Sequence, residues 1–186
     1  FDLAELILHE MTHETLFKPD DTGFNEAMAT FVGRAAAAAW FDHADGSGSA
    51  TAAAARARFA DKAVIDGYAE MLFDEASRYF DEAAARGETL ASILAGKSAM
   101  YAAAAARFET DFEPRLSDPD RWAFIKTMPL DNARVLAGVR YQGGLSDFSV
   151  VLDKVGGRFP DALAVYGEAA RRSDSREYLR TWAATH

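Results

Sequence analysis

Two histidines stand four residues apart near the start of the sequence, with a glutamate directly after the first. They are His9 and His13, the glutamate is Glu10, and the pattern is His-Glu-Met-Thr-His. Residues four apart lie close together on one face of a helix, so both imidazoles can bind the same metal ion. The glutamate can hold and deprotonate a water bound to that metal. The spacing therefore predicts a metal-dependent hydrolase, with His9 and His13 as ligands and Glu10 as the general base.

A catalytic zinc ion needs a third protein ligand and keeps one position open for water or substrate. We predict that Glu26 is this ligand, because a short loop and an antiparallel second helix would return the first turn of that helix toward His13. Glu14 is poorly suited because it directly follows His13 and points off the metal face. The alternatives that the spacing leaves open are Asp20, Asp21, His43 and, as the weakest, Glu14.

The chain contains no cysteine, so a metal ion has to be held by histidine and carboxylate side chains. Two imidazoles and one carboxylate form a ligand set that suits Zn²⁺. We therefore expect one zinc ion per chain. Fe²⁺, Co²⁺ and Mn²⁺ accept similar sets and are the alternatives.

Two further side chains are predicted to assist the reaction. Metal hydrolases often use a neutral hydrogen-bond donor to stabilise the oxyanion that develops opposite the metal. Asn132 and Tyr141 are donors of this kind. The alternative for both is a structural role, as a helix cap or as a packing residue.

Helices are the elements that have to position these side chains. Apolar residues recur at helical spacing over 2–16 and again over 24–43, separated by a loop with a proline and a glycine. Further helical patterns cover 51–86, 89–111, 132–141, 146–155, 160–172 and 175–184. No alternating pattern is long enough to predict a strand. We expect a mainly α, multi-helix zincin-like domain over residues 1–186, with active-site helices in 2–43 and a helical remainder over 50–186.

The chain begins with Phe1 and reaches the histidine motif almost at once. Zinc peptidases usually place a small sheet before the motif helix, and its edge strand lines the substrate cleft. We therefore expect the chain to be a fragment that lacks an upstream portion containing such a sheet. No signal peptide is visible in these residues, and any targeting signal would belong to the upstream portion.

The composition limits the partners that the chain can bind. With 20 Lys and Arg against 29 Asp and Glu, the 186 residues carry a net charge of −9. This charge argues against nucleic acid and against anionic membrane surfaces as partners. The longest uncharged apolar run, residues 98–106, is too short to span a bilayer.

Two blocks of the sequence resemble a bacterial family of "predicted aminopeptidases". The first block contains Leu6–His13 and then Asp20–Val32, where the family carries HELxH, an Asp-Asp-Thr-x-Phe-Asn-Glu stretch and an apolar continuation. The second block runs from Leu130 through Tyr141 to Phe148 and resembles the family's Asn-Asn-Ala…Tyr…Phe region. The Asn-Glu pair of the first block is also similar to the third-ligand segment of gluzincin peptidases.

The resemblance implies that His9, His13 and Glu26 bind zinc and that Glu10 is catalytic. It also implies a lipoprotein-type signal and an N-terminal half upstream of Phe1, and hence a location in the cell envelope or periplasm. The positions that depart from the family pattern are Thr12, Asp131, Gly143 and Gly144.

These observations together predict a zinc-dependent peptidase that acts on a peptide substrate, with an aminopeptidase as its specific form. An aminopeptidase needs an acidic group that anchors the free amine of the substrate, and the sequence does not mark one. Two other classes of protein are alternatives. One is a non-catalytic helical domain stapled by zinc, and the other is a cell-envelope interaction module that keeps the motif without a metal.

Overall fold

The computed structural model describes residues 1–138 and 144–186 in full, and residues 139–142 as helical backbone. Its α-helices are α1 (Asp2–Thr15), α2 (Thr22–Ala44), α3 (Ala50–Ala85), α4 (Leu90–Arg107), α5 (Phe124–Thr127), α6 (Asn132–Gln142), α7 (Leu145–Lys154), α8 (Phe159–Ala170) and α9 (Ser175–Thr185). The residues that the structure describes contain no strand. The expected mainly α fold is confirmed, with the histidine motif on the first helix.

Between α4 and α5 the backbone departs from α-helical geometry. A π-helical turn over Phe108–Phe112 continues α4, and 3₁₀ turns follow at Glu113–Arg115 and Pro119–Trp122. Each 3₁₀ turn has a proline in its first two positions, where the missing N–H donor costs no hydrogen bond. The predicted helix over 89–111 is therefore α-helical only as far as Arg107.

The chain forms two compact units, one of Phe1–Phe59 with Arg140–His186 and one of Ala60–Val139. Each unit is described by itself below. The expectation of one domain over residues 1–186 stays a prediction. None of the helices in the described part of the chain combines the length and the apolar composition that crossing a bilayer requires.

The core of the first unit is a cluster of aromatic rings between α2, α7 and α8. Phe148 of α7 is fully buried, and its ring centroid lies 5.4 Å from that of Phe24 and 6.3 Å from that of Phe31, both on α2. Tyr166 of α8 packs edge-on against Phe148 at 5.1 Å. Offset and edge-on contacts between aromatic rings stabilise the fold by more than the burial of their apolar area alone. The cluster therefore holds α2, the helix that carries Glu26, in place.

The core of the second unit lies between the later part of α3, α4 and the turns that follow. The ring of Tyr68 contacts Phe108 and Phe112, with centroids at 5.1 and 5.2 Å. Asp61 is 3% exposed, and its carboxylate accepts three hydrogen bonds, at 2.7, 2.9 and 3.1 Å, from residues 117–118. This carboxylate replaces the regular backbone partners that the irregular segment lacks.

Tyr166 has the most deeply buried titratable hydroxyl of the first unit's aromatic cluster. The hydroxyl donates a hydrogen bond of 2.6 Å to the carbonyl oxygen of Phe148. Burial raises the pKa of Tyr166 well above its ordinary value, because the phenolate would lose its water, and the negative charge of Asp153 adds to the effect.

We predict that Tyr166→Phe lowers the free energy of unfolding at pH 7 by about 1 kcal/mol, the net value of one hydrogen bond. Above about pH 10 the unfolded tyrosine ionises while the folded one does not, so the wild type loses stability there as pH rises. The variant lacks this loss. The stability of the wild type relative to the variant should therefore fall by about 1.4 kcal/mol per pH unit above that point, so that the initial difference disappears and then reverses sign. Urea denaturation of both proteins at neutral and at alkaline pH measures the difference in their free energies of unfolding.

A matched control is Phe24→Leu, which weakens the same aromatic cluster without removing a titratable group. Its stability deficit should be the same at both pH values. A deficit of Tyr166→Phe that does not change with pH would contradict the assignment.

Candidate metal centre

The centre is built by α1 and α2, which form an antiparallel pair joined by a short loop. α1 ends at Thr15, and the backbone N–H of Leu16 closes its last turn on the carbonyl of Thr12. α2 begins after Asp21, whose Oδ1 accepts a hydrogen bond of 2.9 Å from the backbone N–H of Phe24. Asp21 is thus an N-cap that satisfies one of the free donors of the helix. The loop returns the first turn of α2 to the last turns of α1.

Three side chains from the two helices converge at this point. Glu26 Oε2 lies 3.5 Å from His9 Nε2, and Glu26 Oε1 lies 3.6 Å from His13 Nε2. The two Nε2 atoms are 3.1 Å apart. The three side chains are each about one-fifth exposed, at 19, 22 and 23%, so that solvent and a ligand can reach them.

The donor set fits a divalent metal ion. A tetrahedral zinc ion with bonds of about 2.0–2.2 Å holds neighbouring ligand atoms about 3.3–3.6 Å apart. The separations of 3.5 and 3.6 Å match that spacing, and the separation of 3.1 Å is slightly shorter. These distances join four atoms, two imidazole nitrogens and two carboxylate oxygens, and lone pairs that face one another at such distances repel unless a proton or a cation lies between them. His9, His13 and Glu26 form the one group in the described part of the chain that could hold a metal ion.

The alternative third ligands have other surroundings. Asp21 caps α2, and Asp20 sits in the left-handed region with φ of 63°. His43 is exposed in the last turn of α2, whereas Glu26 lies in the first turns. Glu14 is exposed on α1. The structure therefore brings Glu26 to the histidines, as the spacing predicted.

Glu10 and Thr12 flank the ligands on α1. Glu10 is exposed, so its carboxylate is open to solvent. Thr12 is 4% exposed, and its hydroxyl donates a hydrogen bond of 2.7 Å to the carbonyl oxygen of Leu8. The hydroxyl is satisfied inside its own helix, so this departure from the family pattern leaves His9 and His13 untouched.

Asn25 positions the neighbouring Glu26, a role that the Asn-Glu pair in the sequence does not reveal. Its side chain is 3% exposed and bonds twice to the backbone of Lys18. Oδ1 accepts from the Lys18 N–H at 2.8 Å, and Nδ2 donates to the Lys18 carbonyl at 2.7 Å. The loop is thereby tied to the residue directly before Glu26. An asparagine beside a predicted loop is the signal that could have revealed this role.

Gly33 is a second positioning residue that the sequence did not reveal. A Cβ atom at Gly33 would lie 2.9 Å from the carbonyl oxygen of Glu5, 3.0 Å from the backbone nitrogen of His9 and 3.1 Å from its Cβ. The backbones of α1 and α2 therefore approach more closely than any side chain permits. Beside the crossing, Arg34 Nε pairs with Glu5 Oε1 at 3.4 Å. Gly33 is what lets His9 come within reach of Glu26.

The described contacts of the His9, His13 and Glu26 cluster include neither of the two predicted oxyanion donors. Asn132 is the first residue of α6 in the second unit, where its Oδ1 accepts a hydrogen bond of 2.9 Å from the Tyr101 hydroxyl. Burial and the charge of Asp131 raise the pKa of Tyr101, which keeps it a donor. The side chain of Tyr141 lies outside the described residues. Both catalytic roles stay predictions.

Gly33→Ala should force the two helices apart at His9. We expect the free energy of unfolding to fall by about 1–3 kcal/mol, the usual cost of overpacking, and zinc affinity to fall with it. Urea denaturation and competition with a chromophoric chelator measure the two effects.

Gly67→Ala in α3 is the matched control, because its added Cβ would have as nearest neighbour an atom of the Phe112 ring at 3.8 Å. This change should raise stability by about 0.5–1 kcal/mol, since alanine loses less entropy in a helix. A Gly33→Ala protein that is as stable as the wild type would contradict the close contact.

Asn25→Ala should leave the N–H and the carbonyl of Lys18 without their partner. We expect a loss of about 1–3 kcal/mol in the free energy of unfolding and weaker zinc binding, because Glu26 is no longer held in its orientation. Isothermal titration calorimetry measures the zinc affinity, and urea denaturation measures the free energy of unfolding.

Asp61→Ala is the control that distinguishes a positioning effect on zinc binding from a general loss of stability. It removes three hydrogen bonds from the second unit and should lower stability while zinc affinity stays at the wild-type value. If Asn25→Ala also keeps the wild-type zinc affinity, its positioning role is wrong.

One comparison with known proteins gives the family of the chain. The sequence model of the family described as "Putative aminopeptidase" matches residues 1–179, which is nearly the whole chain. No curated protein and no solved structure matches the chain. On the strength of that match, the chain belongs to the "Putative aminopeptidase" family.

Proposed function

We propose that this chain is a zinc-dependent peptidase of the gluzincin type and that its specific activity is that of an aminopeptidase. The observation that carries the proposal is the convergence of two imidazoles and one carboxylate within 4.8 Å of one another. The exposed Glu10 beside them and the membership of the family support it. The cell-envelope location stays a prediction.

His9, His13 and Glu26 are the residues that would hold the ion. Zinc bound there supplies Lewis acidity, which polarises a peptide carbonyl and lowers the pKa of an attacking water toward about 7. Three protein ligands leave room for water or substrate, as a catalytic site requires and a purely structural site does not.

Glu10 is the general base of the proposed reaction. Its carboxylate accepts the proton of the attacking water and then delivers that proton to the nitrogen of the leaving amine. A base next to a ligand histidine on the same helix keeps a constant position relative to the ligands, because the helix backbone is rigid. The exposure of Glu10 lets a peptide approach from solvent.

The proposal is tested by comparing wild type, Glu26→Ala and Glu10→Gln for zinc content and for hydrolysis of aminoacyl-coumarin and internally quenched peptides. We expect about one zinc per chain in the wild type and in Glu10→Gln, and binding weaker by at least about 100-fold in Glu26→Ala. Glu10→Gln should lose activity by about 10²–10⁴-fold, because it cannot take a proton.

The exposed Asp45→Asn, at the far end of α2, is the control and should retain zinc and activity. Chelator should lower the melting temperature of the wild type but not that of Glu26→Ala, since a metal that binds only the folded chain stabilises it. Full activity in Glu10→Gln would contradict the mechanism. Zinc retained by Glu26→Ala would move the third ligand elsewhere.

The two other classes of protein give distinct results. One tightly held zinc without hydrolysis of any peptide indicates the zinc-stapled domain. No zinc after reconstitution, with a melting temperature indifferent to chelator, indicates the interaction module.

A further inference from the structure

α1 has a second side, here called its outer face, which carries Leu3, Leu6, Ile7, Glu10, Met11 and Glu14. The four apolar side chains are 69, 56, 50 and 57% exposed. A single exposed apolar residue is ordinary on a protein surface. Four on one side of a short helix form an apolar patch of the kind that marks an interaction site.

Glu10 lies in the middle of the outer face. It follows Leu6 by four residues and Ile7 by three, so their side chains are neighbours on the helix surface. His9 and His13 follow Leu6 and Glu10 by three residues each, so they lie at the edge of this face, where they meet Glu26 of α2. The carboxylate proposed as the general base therefore projects among large exposed apolar side chains.

The charge of the outer face is wholly negative. Residues 2–15 contain no Lys or Arg, and both Glu10 and Glu14 are exposed. A complementary ligand thus combines apolar side chains with a positive charge. A second copy packed about a two-fold axis would bring the same carboxylates toward each other, which is unfavourable. A permanent partner of any kind would cover the base and keep water from it.

We propose that the outer face of α1 docks the substrate, and that the preferred substrate is a peptide with a large aliphatic side chain next to a positively charged group. This inference rests on the proposed function, whose substrate class it names. A peptide leaves the face after each turnover, so Glu10 is free between reactions. The aliphatic side chain packs on Leu6 and Ile7, and the charge lies near the two glutamates.

The test measures peptide binding by fluorescence anisotropy on metal-depleted protein, in which no turnover consumes the probe. The probe is the peptide Arg-Leu-Leu-Ala-Ala with fluorescein at its carboxyl end, and the reference peptide has Ser in place of both Leu. The wild type should bind the leucine peptide about tenfold more tightly than the serine peptide. Leu6→Ser and Ile7→Ser should each remove most of that preference.

Leu94→Ser in α4 is the matched control, because Leu94 is 52% exposed and lies outside α1. It should bind both peptides as the wild type does. Two further probes separate the sources of positive charge: an N-acetylated form that keeps Arg, and a form with a free amino terminus in which Gln replaces Arg. Both probes are compared with an N-acetylated peptide in which Gln replaces Arg and which therefore carries neither positive charge. Tighter binding of the first probe assigns the charge preference to the Arg side chain, and tighter binding of the second assigns it to the free amino terminus.

Equal affinity of the wild type for the leucine and serine peptides would overturn the inference. Unchanged affinity in both serine variants would do the same. A wild-type dimer in analytical ultracentrifugation that dissociates in Leu6→Ser would assign the face to a second copy. Zinc titration and a hydrolysis assay of the wild type distinguish failure of the docking site from failure of the proposed function. If the protein binds zinc and hydrolyses peptides but shows no preference for the leucine peptide, only the docking site is wrong. If the protein does not bind zinc, the proposed function is wrong.

Discussion

The close packing of α1 against α2 is the contact on which the candidate metal centre depends. His9 and His13 lie on one helix and Glu26 on the other, so their donor atoms meet only when the two backbones lie near each other. Gly33 makes that approach possible at His9. A metal centre tolerates displacements of only about 0.5 Å, so it is sensitive to any shift of the backbone at His9. The geometry of the centre therefore depends on the absence of a side chain at Gly33.

The two helices have different surroundings, and the difference suits their roles. α2 is buried along much of its length and is held by aromatic contacts with Phe148, so the carboxylate of Glu26 is carried by a rigid element. α1 is held on one side only. Its opposite side leaves Glu10 and a row of apolar side chains open to solvent. One helix thus joins a packed side, next to which the two histidines meet Glu26, to a side that is open to solvent.

Much of the fold follows from local periodicity. The pattern over 2–16 corresponds to α1, and the pattern over 24–43 corresponds to α2, which begins slightly earlier because Asp21 caps it. The π-helical turn after α4 was not predictable in the same way. Its residues Phe108 and Phe112 are buried against Tyr68, and that tertiary contact outweighs the preference for a regular helix.

The sequence by itself determined that His9 and His13 share one face of a helix with Glu10 at its flank, because residues four apart are neighbours whatever surrounds the helix. It also determined the mainly α class, through apolar spacing that repeats along the chain. Only the tertiary structure decided that Glu26 completes the cluster and that Gly33 and Asn25 position it. These depend on the path of a loop and on the distance between two backbones, which are set by packing over the whole unit and leave no periodic signal in the sequence.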